Sequence, residues 1–472
     1  MKNKLIKNTL IVLISSLFIR LLSLINRIIL TRSLGIEGIS LYSLILPSIM
    51  LFLSISCFSL NTSMIKVSAT VKSKSIIKNG ILIAIITSSI SSLILLTILK
   101  YLSSSLLKQP NTYYPILFSI PLFYLTSISS VLRGFLSGIE KMGSTSVANL
   151  LEQITRIIFT ILIFIFIKNK NITTYVTYAV IAMSVGELFS IIFTSTTIKK
   201  TKLNINDIDC SKQLLEISIP STITSLISNF TFFLEPIIYT FILTKLSFSS
   251  NEILLKYSEV TSYALPLITL FSFITTSIST VIMPKLSTAS NNNIKQYITK
   301  IIIICLIPAL LLTTILFNYN DNLSILLYDN LTGSNIIKKY VWFFIVFYLV
   351  APFNSIFLST NHSKVLFKYS IIIHIIKLSL ILLLPLITND ALILSYLVSF
   401  LLTFFLQFIF LYRKYKFNIP YKNIFKLTLI TIIINSLSLI LKELNIYYII
   451  QIIILSLSYS VLIFFFIKRN NI

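Results

Sequence analysis

Acid, glycine, cysteine and histidine are all scarce in this chain, and each scarcity closes a route to function. Only 14 residues are Asp or Glu, against 39 Lys or Arg. Glycine occurs eight times and no Walker-type glycine loop is present, so the chain has no built-in ATPase. Cys57, Cys210 and Cys305 are widely separated, two in apolar stretches and one in a connecting segment. They suggest neither a disulfide framework nor a metal cluster. His362 and His374 stand apart without acidic or cysteine neighbours, so no ligand set is visible.

What fills the chain instead is apolar sequence. Hydrophobic residues make up 56% of it, charged residues 11%, and the mean hydropathy is +0.94. A soluble protein could not hide that much apolar surface. A bilayer core of about 30 Å needs about 20 helical residues to cross. Fourteen stretches approach that length: 8–30, 39–60, 79–99, 114–132, 146–167, 174–198, 215–243, 257–283, 301–317, 340–358, 369–386, 391–412, 427–441 and 446–467. Their runs are continuous, which predicts helices rather than the alternating strands of a barrel. The expected fold is an all-α polytopic membrane protein with about fourteen transmembrane helices. The first stretch is expected to be a retained span and not a cleaved signal: it is too long, holds Arg20 at its centre and lacks a small-residue cleavage site.

Charge orients the chain. With a cytoplasmic N-terminus and alternating helices, the inward segments carry 25 cations, Arg133 among them, and the outward loops ten. Arg20, Arg27, Arg156 and Lys377 lie within helices and complete the 39. The asymmetry is the positive-inside pattern, and an even helix count makes both termini cytoplasmic. Lysines facing an anionic leaflet account for the net charge of +25 without a nucleic-acid partner.

The chain also repeats itself. Residues 46–70 read LPSIMLFLSISCFSLNTSMIKVSAT, and residues 265–289 read LPLITLFSFITTSISTVIMPKLSTA. At a constant offset of 219, nine of 25 positions agree: Leu46, Pro47, Ile49, Leu51, Phe52, Ile55, Met64, Lys66 and Ser68. The offset spans six helices, an even number, so the copies share one orientation. That predicts two six-helix lobes in parallel repeat, 1–203 and 204–413, plus a C-terminal helix pair, 414–472. The polar linker 199–212, with Asp207 and Asp209, is the natural boundary. Two lobes suit alternating access.

Ionisable groups at membrane depth cost about 2.5–3.5 kcal/mol each on insertion scales and usually face a cavity. Ser16, Arg20, Ser23 and Arg27 are spaced four, three and four, so they share one stripe of the first helix. Two readings stand. Arg27 snorkels outward while Arg20 pairs with a structural carboxylate, or the stripe grips phosphate or pyrophosphate bidentately. Glu152 and Arg156 form an i,i+4 pair, expected to be an internal salt bridge. Glu187 stands isolated after Gly186. Glu235 precedes Pro236, whose ring frees a backbone carbonyl. It would hold a cation or proton, or neutralise Arg20. Lys377, one turn from His374, is an anion contact or a snorkelling lysine. The outward loops are short apart from 318–339, whose only acids are Asp321 and Asp329. That is thin material for an active site, so no enzyme is expected.

From helix one onward the chain resembles the stage V sporulation protein B family, in the multidrug/oligosaccharidyl-lipid/polysaccharide exporter superfamily. The resemblance rests on Arg20, Arg27, Leu34-Gly35-Ile36-Glu37-Gly38 and Leu41-Tyr42. It continues through Leu132-Arg133-Gly134, Gly138, Glu152-Gln153 and Arg156, then Gly186-Glu187, and Ala264-Leu265-Pro266-Leu267-Ile268 to Pro284. It implies a flippase in the bacterial cytoplasmic membrane that carries undecaprenyl-pyrophosphate-linked saccharide, such as a peptidoglycan precursor, outward. In related lipid II flippases basic residues of helix one line the cavity, and Arg20 with Asn26 and Arg27 match them by position. Two departures bear on the substrate. Leu60-Asn61-Thr62 replaces the family's Gly-x-Pro element, and no arginine lies deep in helices seven or eight. The expected partners are the lipid-linked saccharide and membrane lipid. No cofactor is expected, and transport would be coupled to H+, Na+ or the membrane potential. The alternative is a cation-coupled multidrug exporter of the same fold, in which Glu235 would dominate; the deep arginines argue against cationic drugs.

Overall fold

The computed structural model describes residues 2–71, 73–167, 171–201, 210–287, 290–360, 362–444 and 446–470. Asp207, Asp209 and the expected lobe boundary at 203/204 lie outside the described residues. Among those described, the chain is helical and contains no strand.

Two compact units divide it, Met1–Ser258 and Glu259–Ile472. The first holds α1 (Lys2–Cys57), α2 (Leu60–Val71), α3 (Ser75–Tyr101), α4 (Tyr113–Leu117), α5 (Ile120–Gly138), α6 (Met142–Phe166), α7 (Ile172–Lys199), α8 (Ser211–Lys245) and α9 (Ser250–Ser258). The second holds α10 (Leu265–Ile268), α11 (Ser272–Ser287), α12 (Asn291–Tyr328), α13 (Ser334–Tyr340), α14 (Phe347–Ser359) and α15 (Ser363–Leu383). It ends with α16 (Ala391–Tyr415), α17 (Tyr421–Glu443) and α18 (Tyr448–Asn470).

Among the described residues, twelve helical stretches are long and apolar enough to cross a bilayer, or thirteen with one bent pair. Their outer faces carry large apolar side chains in the open, among them Leu93 at 63%, Phe166 at 76% and Ile432 at 63% exposure. That surface suits lipid and not water. Inside, hydroxyls supply the polar contacts that apolar packing lacks. Ser91 Oγ donates to the Phe52 carbonyl at 2.8 Å, Ser127 Oγ to the Ser56 carbonyl at 2.8 Å, and Thr87 Oγ1 to the same carbonyl at 2.7 Å. Each interhelical bond of this kind contributes about 0.6 kcal/mol in a membrane protein. Together they tie α3 and α5 to the distal half of α1.

Three segments depart from the sequence expectation. The stretch 8–30 and most of 39–60 run on as α1, which is broken inside only at Gly35, with φ 64° and ψ −174°. A left-handed φ with extended ψ is open almost solely to glycine, so one residue turns the chain without a loop. The stretch 257–283 is not one helix. A π-helical turn at Glu259–Ala264 leads into α10, and the run ending at Ile268 bends by 60° into Ser272–Ser279. The supposed loop 318–339 is largely helix too: α12 continues to Tyr328 across a kink at Tyr319, and α13 follows.

The two repeat copies break at different places. Pro47 lies inside α1, which continues to Cys57 and turns at Phe58 and Ser59, where φ is 45° and 47°. Pro266 stands in the first turn of α10, which stops at Ile268.

Candidate functional site

The first unit buries a cluster of four charges. Arg133 on α5 donates from Nη1 to Glu152 Oε2 on α6 at 2.8 Å. The same nitrogen reaches Asn149 Oδ1 at 2.8 Å. Its Nη2 lies 3.1 and 3.0 Å from the two oxygens of Glu187 on α7. Arg156, one turn along α6, donates from Nη2 to Glu152 Oε1 at 2.6 Å. Glu152 is 7% exposed and Glu187 5%. Two guanidinium groups and two carboxylates cancel, which is what lets them enter an apolar environment.

Local backbone brings the partners together. Gly186 leaves room for α6: a Cβ there would stand 2.8 Å from the Glu152 carbonyl oxygen. That close approach sets Glu187, the next residue, beside Arg133. A polar thread then leads from the cluster to helix one. Gln153 Nε2 donates to Glu152 Oε1 at 3.3 Å, and Ser23 Oγ on α1 donates to Gln153 Oε1 at 3.2 Å.

Ser23 belongs to the stripe singled out in the sequence. Arg20 and Ser23 are exposed, Ser16 and Arg27 half-buried. Among the described residues no carboxylate lies within ion-pair distance of Arg20. The reading in which Arg20 is a structural ion pair therefore finds no partner there. Asn26 is 7% exposed, and its Oδ1 is a buried acceptor with no hydrogen-bond partner among the described residues. Such an atom invites a ligand or water donor.

Glu235 is fully buried on α8, and the Tyr257 hydroxyl of α9 donates to its Oε1 at 3.3 Å. Lys377 lies in the second unit on α15, its Nζ 3.5 Å from the centroid of the Tyr396 ring. A cation held over an aromatic face keeps its charge with little water around it. His362, in the turn before α15, meets Thr360 Oγ1 at 2.9 Å through Nδ1 and accepts from Lys414 Nζ at Nε2. Burial and the Lys414 ammonium hold its pKa below the usual imidazole range, against the opposing pull of the Thr360 backbone bond.

Two expectations need correction. Glu187 is not isolated, because Arg133 pairs with it. Arg133 is not a loop cation: it lies inside α5, five residues before Gly138, and the inward tally drops to 24. The apolar run on its N-terminal side made Leu132 look like the end of the span. The signal that could have found it was the apolar continuation past it, Phe135-Leu136 up to Gly138. The Glu152–Arg156 salt bridge is present as the spacing predicted.

A family model described as "Polysaccharide biosynthesis protein" matches residues 5–287. "Stage V sporulation protein B" of Bacillus subtilis (strain 168) is 27% identical over 401 residues, covering 80% of this chain and 77% of that protein. "Sporulation protein YkvU" of the same organism is 22% identical over 395 residues, covering 80% and 87%. Among solved structures, "Lipid II flippase MurJ, inward closed conformation" superposes with a TM-score of 0.72 at 16% identity, covering 97% and 99% of the two chains. The MATE multidrug transporter DinF-BH gives a TM-score of 0.62 at 12% identity, covering 88% and 96%.

Proposed function

The chain belongs to the polysaccharide biosynthesis protein family, and from that premise we propose that it is a flippase for undecaprenyl-pyrophosphate-linked saccharide. The glycan would be a cell-wall or spore-cortex precursor. It would be carried from the cytoplasmic to the outer leaflet by alternating access of two six-helix lobes, 1–203 and 204–413. The observation that carries this reading is Arg20. It is a permanent cation at membrane depth, exposed on helix one, while the other deep charges of α5, α6 and α7 cancel among themselves.

In this mechanism Arg20 and Arg27 grip the pyrophosphate, whose paired oxygens match the planar guanidinium fork. Asn26 offers its free acceptor to a donor on the glycan, and Ser23 links the stripe to the Glu152 network. Lys377 serves as a second anion contact. Glu235, a buried carboxylate that accepts from the Tyr257 hydroxyl, serves as the coupling group. A multidrug exporter of the same fold would also use Glu235. An arginine on helix one without a carboxylate partner among the described residues favours the anionic cargo.

The test compares Arg20→Ala with Arg20→Lys, scoring protein abundance alongside translocation of lipid-linked saccharide in proteoliposomes. Both variants accumulate normally and both lose most translocation, because lysine keeps the charge but not the fork. Normal translocation in Arg20→Ala would refute the assignment of this residue to substrate.

A further inference from the structure

The C-terminal pair α17–α18 has no task in the mechanism above, yet it borders a cavity of about 690 Å³ within the second unit. That volume lies inside the range of about 300–1,000 Å³ found for small-ligand sites. The floor is rigidly built. Buried Tyr319 on α12 donates its hydroxyl to Gln451 Oε1 on α18 at 2.8 Å, and Gln451 Nε2 donates to the Ile446 carbonyl at 2.6 Å. One wall is Asn318, whose Nδ2 donates to Asn435 Oδ1 on α17 at 2.6 Å. The rim is exposed and polar: Asp321 and Asn322 from α12, Lys442 from α17, and Tyr447 just before α18.

We propose that this cavity is a saccharide-binding site, taking one or two sugar units of a glycan head group. Amide and carboxylate groups set side by side present the paired donors and acceptors that adjacent sugar hydroxyls require. The exposed Tyr447 ring, 58% accessible and 4.7 Å from the Tyr448 ring, offers a flat apolar face for the C–H face of a pyranose. An acyl chain would meet polar walls and leave them unpaired. A phosphate would meet the ammonium groups of Lys338 and Lys442 but also the Asp321 carboxylate, which Ser334 Oγ holds in place, and no arginine fork; phosphate titration separates an anion site from a sugar site. The lining comes from residues 317–322 around the α12 kink, 338, 439, 442, 446–448 and 451, on the outward side in the proposed topology. The site would then face the compartment into which the glycan is delivered, and α17–α18 would be its scaffold. That the sugar is the head of the transported lipid rests on the flippase reading; the binding does not.

The chain carries its own reporter. Its single tryptophan, Trp342, packs edge-on against Phe317 of the cavity wall, ring centroids 5.8 Å apart. Full-length protein in detergent is titrated with N,N′-diacetylchitobiose, and separately with inorganic phosphate, while tryptophan fluorescence is followed. The disaccharide produces a saturable change. Tyr447→Ala and Asn322→Ala, both exposed positions, each weaken it at least tenfold, and Tyr447→Phe keeps it. Arg20→Ala leaves the titration as it was while abolishing translocation, so failure of this site and failure of the flippase reading are separable. The proposal is overturned by an unsaturable response to the disaccharide or by a response that neither alanine variant alters. A phosphate response with the same sensitivity to those variants also overturns it, since that would mark an anion site.

Discussion

At the scale of single residues, Arg133 joins three helices of the first unit. One guanidinium ties α5 to α6 through Glu152 and to α7 through Glu187. Removing one member of a buried pair leaves an uncompensated charge, which typically costs about 3–5 kcal/mol. Arg133→Ala is therefore expected to lower both accumulation and melting temperature in detergent. Adding Glu187→Gln to that variant should recover part of the loss, because one orphaned carboxylate disappears. Strictly additive losses in the double-mutant cycle would mean that the two groups do not act as a unit. Residue chemistry was partly legible in advance. The i,i+4 spacing of Glu152 and Arg156 announces their bridge, since both lie on one helix. The Arg133–Glu187 contact joins positions 54 apart, and no local pattern encodes it. Likewise Asn26 entered as a site residue only by resemblance; its buried, unmatched oxygen became visible through packing alone.

At the scale of elements, apolar length reads well and breaks read badly. Continuous runs of Ile, Leu and Phe mark apolar helix, and outside 8–60 and 257–283 the helices stand close to where the hydropathy puts them. Where a span bends depends on one or two backbone angles, which composition barely marks. Gly35 illustrates this: the polar residues Thr31, Arg32, Ser33 and Glu37 around it mark a break between two expected helices, and only its φ of 64° reveals that one residue makes it. A Cβ at Gly35 would touch nothing within 4 Å, so a substitution there tests conformation without steric confusion. Gly35→Ala should cost about 1–3 kcal/mol, the strain of a side chain in that region. Gly143→Ala is the control, with an equally open position, no positive φ and a place near the start of α6. If the two variants melt alike in detergent, Gly35 is not the hinge between the first two spans.

At the scale of the whole molecule the helix count decides which side each end occupies. The first candidate span, Ile14–Val71, runs for 58 residues. At 1.5 Å per residue that is about 87 Å, nearly three times the hydrocarbon thickness of about 30 Å. It must cross more than once, and Gly35 supplies the turn. Counting it twice, and the bent pair ending at Ser279 once, raises twelve to fourteen. An even number returns the C-terminus to the side of the N-terminus, where Lys468 and Arg469 would join the basic inward segments. With a cytoplasmic N-terminus the expected charge bias is 24 inward against ten outward, the two terminal cations included. An odd count would place those two terminal cations outside. A reporter fused after Ile472, and another inserted at Asn204, should both register in the cytoplasm, while one at Asn330 should register outside. A cytoplasmic signal at Asn204 with an external one at Ile472 would mean an odd number of crossings after Asn204. The bent pair or one helix of the second unit would then fail to span, and the parallel six-helix repeat would fall with it.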